Sequence, residues 1–451
     1  MMRSQPRGTF SLLRAVSGPW FAPPASRGLF LDPAGAGLVL LSGSTDVHQN
    51  LALEDWIDAH VDLERRHLLL LWRNRPAVVI GRHQNPWAEC DLRVMRAAGV
   101  PLARRRSGGG TVFHDLGNLN LTFFASKKAY DRQRNLRVVT EALRRLRPGL
   151  DVRATDRFDI LLNGRYKISG TASRLSRTSS YHHCTLLHSA DRSALHAVLR
   201  PSCPGIHSNA TPSVPSPVAN LADHAPSLQW EELLEAIRQQ FNTEFGLSSA
   251  LIPVDPTNES EFPGVGSMAA ELRSWDWTFG KTPKFSLETQ LELRDQRLEL
   301  GAELRADMGA ELRDQRLELG AGLRTEQGEE LRDQRLELGA ELLELGAELR
   351  DQQLELGAGL RADLGAGLRA ACCSAQLHME VKGGRVEACQ LQVPPDWLPP
   401  GLIFQLSQGL VGGRFCPQDA AATAAALLRV ESGRLHGRLL QLSEAVLAAM
   451  G

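Results

Sequence analysis

The 451-residue chain predicts an α+β fold, on three observations. Compact apolar runs stand beside stretches of helical spacing, an Asn163-Gly164 pair sits inside a hairpin pattern, and strands and helices do not alternate as a doubly wound βαβ fold requires. Val39–Leu41 opens as a short apolar strand. Asp46 to His60 reads as a helix that Asp46 can cap, with Leu51, Trp56 and Ile57 on one side. His67–Trp72, Ala77–Ile80 and Leu119–Phe124 are apolar runs bounded by polar residues or proline, as buried strands are. Leu136–Leu146 has helical spacing, Arg157–Ile168 reads as a hairpin, and Trp230–Phe245 reads as a helix. Proline spacing makes 201–226 a long loop, and Pro253, Pro256 and Pro263 a linker, with a second module beginning near Trp275. Gln376–Val393 alternates like strands around Gly383-Gly384, and Ala420–Leu428 and Leu435–Met450 read as helices.

The net charge of −1 averages unlike parts. Residues 291–370 hold 19 acids against 11 arginines, so the rest of the chain is basic, which suits anionic ligands or acidic partners. In that segment ELRDQRLELGA starts at Glu292, Glu311 and Glu330, and ELRDQQLELGA at Glu348. Frequent glycines and a 19-residue step prevent a continuous apolar stripe, so it reads as an expanded tandem insertion, partly helical or disordered, without chemistry of its own. The first 36 residues carry four arginines and one acid (Asp32) among serines and apolar residues, the pattern of a mitochondrial transit peptide. No apolar run approaches the roughly 20 residues of a spanning helix, so no membrane is expected as a partner. Seven cysteines, odd in number and without CxxC spacing, predict neither structural zinc nor a disulfide framework.

Three stretches carry the chemistry. In Arg104-Arg-Arg-Ser-Gly-Gly-Gly-Thr-Val-Phe-His-Asp-Leu-Gly-Asn118, three glycines let a backbone approach a ligand and turn N–H groups towards it, while the arginines add charge and bidentate donors. This predicts an anion site; without Gly-Lys-Ser/Thr after the glycines it is not a P-loop. In Arg157–Ala172, Lys167 follows the hairpin turn and precedes Ser169, Gly170 and Thr171, so it could hold a phosphate and a carbonyl oxygen together. In Tyr181-His-His-Cys-Thr-Leu-Leu187, neighbouring histidines on a strand point to opposite faces, which disfavours a shared metal.

Together these stretches resemble one family, the lipoate–protein ligases and lipoyltransferases. GRHQNPW (Gly81–Trp87) with Glu89-Cys90, RRRSGGGTVFHDLGN, KISGTA (Lys167–Ala172) and HHCTLL (His182–Leu187) stand in the family's order and spacing, and WDWTFGKTPKFS (Trp275–Ser286) resembles the start of its accessory domain. The resemblance implies a biotin/lipoate protein ligase-like catalytic domain over 37–258, a mixed sheet with flanking helices. It also implies a small α+β accessory domain over 259–451, interrupted by the 291–370 repeat. It implies transfer of a lipoyl group to the ε-amine of a lysine on lipoyl domains of 2-oxoacid dehydrogenase E2 subunits, in the mitochondrial matrix. The donor is lipoyl-AMP or the lipoylated glycine cleavage H protein; no cofactor is tightly bound, and Mg enters only if ATP-dependent activation is retained. Lys167 is the implied catalytic residue. Around lipoyl-AMP the resemblance places Arg105, Ser107, Gly109, Gly110, Thr111, Phe113, His114, Asn118, Arg157 and Asp159, then Ser169, Gly170, Thr171, Ala172, His183 and Thr185. No metal ligand is implied.

Two departures matter. Position 106 is Arg, where bacterial ligases often carry a smaller residue, and the Ser208–Ser216 loop lacks the arginines of their adenylate-binding loop. That favours a transferase using a preformed donor over its alternative, a complete ATP-dependent ligase. A thioester route through Cys184 is a rival mechanism. A biotin ligase would carry a GRGRRG-type loop, which is absent. A nucleic-acid binder would have only Arg104–Arg106, without an aromatic platform. A scaffold built on the repeat is the remaining alternative.

Overall fold

The computed structural model describes residues 37–201, 203–293 and 373–451. The segment read as a transit peptide and all but the first residues of the repeat lie outside them. By compactness the chain divides into two units: the first runs to Ser286 and takes in Glu380–Arg385, the second holds Leu287–Met379 and Val386–Met450.

Strands of the first unit are β1 (Gly37–Ser42), β2 (His67–Trp72), β3 (Ala77–Ile80), β4 (Leu102–Arg104), β5 (Val112–His114) and β6 (Asn118–Ser126). They continue with β7 (Val152–Ala154), β8 (Ile160–Leu162), β9 (Tyr166–Ser169), β10 (Thr171–Leu175), β11 (Ser179–Leu187), β12 (Ile206–Ser208) and β13 (Leu251–Val254). The main sheet has the order β10-β11-β6-β2-β1-β13. It is mixed: β13, β1 and β2 run parallel, and β2, β6, β11 and β10 pair antiparallel. A small sheet β4-β3-β5 and a three-stranded meander β7-β8-β9 complete the unit.

Alternation along the strands makes two cores. On one face Leu69 and Leu71 of β2, Leu119, Leu121 and Phe123 of β6, and Cys184 and Leu186 of β11 pack with the helices Arg132–Leu146 and Trp230–Phe245. On the other, Leu68, Leu70 and Trp72 pack with the helix Val47–His60 and with Val265, Ala269 and Leu272 of the helix Val265–Arg273. Asp46 caps the first of these helices, accepting from the amides of His48 and Gln49. At the β8–β9 turn Asn163 and Gly164 both have positive φ, 53° and 64°, as a type I′ hairpin requires.

The Pro253–Pro263 stretch is not a linker. Pro253 lies in edge strand β13, where a missing N–H costs no ladder bond, and Phe262, Val265 and Trp277 are buried in the second core. Packing continues past residue 258 because the apolar face of Val265–Arg273 is needed to cover Val47–His60. The 201–226 loop holds only β12 and the short helix Leu221–His224. The strands β14 (Phe285–Leu293), β15 (Cys373–Lys382) and β16 (Arg385–Gln392), for the larger part in the second unit, lie side by side, with a turn at Gly383-Gly384. Three helices follow, Pro400–Leu410, Pro417–Leu428 and Gly433–Ala449; the sequence predicts only the latter two.

Candidate active site

Residues 104–111 link β4 to β5, and their three arginines do not act together as anion donors. Arg104 is fully buried: Nη1 donates to the carbonyls of Gly81, Arg82 and Gln84, Nε to that of Thr278, and Nη2 to Thr282 Oγ1. Arg106 pairs with Asp55 and Glu271, each at 2.8 Å, and lies over the Trp277 ring. The expectation that all three supply charge to a ligand is therefore corrected, because Arg104 and Arg106 spend their donors on the scaffold. Arg105 lines the cavity but is also committed. Its Nε donates to Ser107 Oγ, Nη1 to the Val79 carbonyl, and Nη2 to the carbonyls of Gly108 (2.6 Å) and Gly110 (2.7 Å). Burial draws its pKa down to about 10, so it stays charged.

Those bonds shape the glycine loop. In a planar trans peptide the carbonyl and the following N–H point oppositely, so holding the Gly108 carbonyl against Arg105 turns the Gly109 N–H away from it. Gly109 has φ 83°, and a Cβ there would stand 3.1 Å from Arg105 Nη2 and 3.2 Å from the Ala172 Cβ. Gly81 is as confined, since a Cβ on it would collide with the Gly109 carbonyl oxygen.

The loop borders a cavity of about 230 Å³. Lys167 of β9 enters it, with Nζ 2.8 Å from Asp159 Oδ1. Gly170 leaves room for that lysine: a Cβ there would lie 3.0 Å from Lys167 Cε. Gly170 N–H donates to Thr185 Oγ1 at 3.1 Å, and the Thr185 amide donates back to the Gly170 carbonyl. Arg157, exposed, stands at the cavity wall. Leu51, Trp72, Val79 and Val112, neighbours in the second core, also line it, so polar and apolar groups share one space. Such a combination suits an acyl chain bearing a charged or polar head.

His114 and His183 also line it. His114 Nδ1 meets Asn74 Nδ2 at 2.9 Å, and burial, with the charge of Arg105, lowers its pKa to about 3. His183 lies between Ser107 Oγ (2.9 Å) and Glu54 Oε1 (2.8 Å). Its neighbour His182 faces the opposite core, 3.3 Å from Asn135 and stacked on Phe123, as strand alternation requires. Cys184 is buried in that core while also touching the cavity wall, and burial raises its thiol pKa to about 12.

The loop at 211–214 closes one side. Pro212, Ser213 and Val214 line the cavity. Glu89 holds the loop: it accepts from the Ser213 amide, the Ser213 hydroxyl and the Thr111 hydroxyl. The Thr111 amide donates to Ser213 Oγ at 2.9 Å.

Of the residues singled out in the sequence, Arg105, Gly110, Thr111, His114, Arg157, Asp159, Lys167, Gly170, Thr171, Ala172, His183, Cys184 and Thr185 meet at this cavity. Ser107 is buried behind the loop, and Gly109 is exposed on it without lining the cavity; Phe113, Asn118 and Ser169 are buried and do not line it. Asn118 acts through a neighbour, donating to Asn120 Oδ1 at 3.0 Å, and Asn120 does line the cavity. Sequence reasoning missed Asn120 and Glu54, while the Pro212–Val214 wall falls within the Ser208–Ser216 loop that it singled out. A signal for Asn120 exists: Asn118, Asn120 and Thr122 alternate with Leu119, Leu121 and Phe123, a strand with a buried polar face.

The family model of the lipoyl protein ligase A/B catalytic domain matches residues 46–242. The chain is 39% identical over 393 residues to the human protein "Lipoyl amidotransferase LIPT1, mitochondrial", covering 87% of this chain and 86% of that one. It is 37% identical over 423 residues to the mouse protein of the same name, covering 93% and 94%. A solved structure of a bipartite lipoate protein ligase and its E2 lipoyl domain from Thermoplasma acidophilum aligns with 54% of this chain and 96% of its own, at 26% identity and a TM-score of 0.45. Aligned with its mammalian relatives over most of its length and theirs, the chain belongs to the family of lipoyl protein ligases and mitochondrial lipoyl amidotransferases.

Proposed function

We propose that Lys167 and the glycine loop hold the activated lipoyl carbonyl while the ε-amine of a lysine on an acceptor lipoyl domain attacks it. Family membership makes the chain a lipoyltransferase, and both relatives are named as mitochondrial, which agrees with the Arg- and Ser-rich start of the sequence. The observation that carries the finer reading is Lys167 Nζ, 2.8 Å from Asp159, beside Gly170 and Thr185 in the cavity.

The attack forms a C–N bond and places negative charge on the carbonyl oxygen. A fixed ammonium and loop N–H groups stabilise that charge without reorganising. Collapse of the intermediate expels AMP from lipoyl-AMP, or the lysine amine of a lipoylated carrier such as the glycine cleavage H protein, and leaves an amide. The amine proton passes to the leaving group or to water. No enzyme nucleophile is needed, only positioning and charge. Cys184 touches the cavity wall, but it is buried in the other core with a raised pKa, which disfavours a thiolate nucleophile and so the thioester route. The acceptors are lipoyl domains of 2-oxoacid dehydrogenase E2 subunits in the matrix. Mg is needed only by an ATP-dependent step, and the arginine-free loop clasped by Glu89 favours a preformed donor. Lys167→Ala tests the site: it should abolish acceptor lipoylation with the thermal midpoint retained, whereas undiminished transfer would refute the assigned role.

A further inference from the structure

We infer that Glu54 is a positioning residue for acyl transfer, fixing the pose of the glycine loop through His183, Ser107 and Arg105. This rests on the acyl-transfer site proposed above. Glu54 belongs to the helix Val47–His60, is 1% exposed, and bears an oxygen on which two hydrogen bonds converge. Thr122 Oγ donates to Oε1 at 2.8 Å, and His183 Nδ1 lies 2.8 Å from the same atom. Trp72 Nε1 in turn donates to Thr122 Oγ at 2.9 Å.

Both ends of this chain carry groups that only donate, an indole N–H and a guanidinium. Trp72 fills an acceptor site of Thr122, so the Thr122 hydrogen goes to Glu54. A carboxylate only accepts, so His183 presents Nδ1–H to it. In the neutral ring Nε2 is then an acceptor and takes the Ser107 hydroxyl hydrogen at 2.9 Å. Ser107 Oγ, its hydrogen spent, accepts Arg105 Nε–H at 3.0 Å. Arg105 thereby turns Nη2 onto the carbonyls of Gly108 and Gly110. Every hydrogen in the relay has one direction, and that direction is set by the charge on Glu54. The relay ends on the loop whose backbone faces the acyl donor, so Glu54 acts on the reaction without touching it.

Glu54→Met keeps the length and removes both acceptors. His183 then has no partner that fixes Nδ1–H, so the Nε2–H tautomer, which opposes the Ser107 hydroxyl, becomes populated. Misplacement of the loop on the scale of an ångström predicts a fall in kcat on the order of a hundredfold, with little change in KM for the acceptor domain. In ¹⁵N-histidine NMR of the full chain at mildly alkaline pH, His183 should be the Nδ1–H form in the wild type and a mixture of the two tautomers in Glu54→Met. Because Glu54 acts only through Ser107, Glu54→Met added to Ser107→Ala should cost nothing further. An Nε2–H signal in the wild type, or losses that multiply in the double variant, would overturn the inference. Should Glu54→Met not fold, His183→Gln takes its place in the same cycle with Ser107→Ala, with the same two outcomes. Failure of the site reading is distinct: Lys167→Ala would then retain transfer, whereas failure of the relay alone leaves Lys167→Ala inactive.

Discussion

Replacing Arg104 by Met separates scaffold from ligand binding among the three adjacent arginines. Arg104 makes five hydrogen bonds, four of them to backbone carbonyls, and is fully buried. Removing a charged donor while leaving buried acceptors unpaired costs about 1–3 kcal/mol per acceptor in isolation, and relaxation with water entry reduces the sum, so about 3–5 kcal/mol is expected. At about 2–4 °C per kcal/mol for a domain of this size, the thermal midpoint of the first unit should fall by roughly 6–20 °C. Lysine should not rescue it, because one ammonium cannot span acceptors on Gly81, Arg82, Gln84, Thr278 and Thr282. The assay is calorimetry of the full chain, with transfer activity measured well below the midpoint. A midpoint within about 3 °C of wild type, or full rescue by lysine, would refute the scaffold assignment.

Gly81→Ala should fold yet lose most transfer, since its Cβ has no room beside the Gly109 carbonyl and the loop must shift; unchanged kcat would argue against a confined loop. Cys184→Ser should leave the rate of lipoyl transfer close to wild type, and a loss matching that of Lys167→Ala would restore the thioester route. His114 gives a pH signature. Its folded pKa of about 3 lies below the unfolded value of about 6.5, so the unfolded chain binds the extra proton and stability falls as pH drops below about 6.5. The loss runs at up to about 1.4 kcal/mol per pH unit and ends near the folded value. His114→Gln, which can still meet Asn74, should flatten the dependence of the midpoint on pH between about 6 and 4; an unchanged slope would contradict a buried neutral His114.

Elements with a strong local signature were legible in the sequence. His67–Trp72 and Ala77–Ile80 appear with the bounds their apolar runs suggest, and Asn163-Gly164 forms its turn because only a residue tolerating positive φ fits there. Proline misled at 253–263, where tertiary pairing along an edge strand outweighs the local tendency to break. The glycine loop and Lys167 were readable as chemistry because their residue types are unusual in sequence. The roles of the arginines were not: whether a guanidinium faces a ligand or a carbonyl depends on residues such as Thr278, far along the chain. Glu54 was hidden for the same reason, since an acid within Leu51-Ala-Leu-Glu-Asp-Trp-Ile reads as a helix side chain until His183 is seen opposite it.

The central claim, lipoyl transfer from a preformed donor to a protein lysine, is tested most directly by one donor comparison. Purified protein is incubated with an acceptor lipoyl domain and either lipoyl-AMP, lipoylated glycine cleavage H protein, or lipoate with Mg-ATP, and the acceptor lysine is followed by intact mass. Rapid lipoylation from at least one preformed donor, lost in Lys167→Ala, with little or none from lipoate and Mg-ATP, is the predicted result. Rapid lipoylation from lipoate and Mg-ATP would instead make the chain a complete ligase, and no lipoylation from any donor would contradict the account.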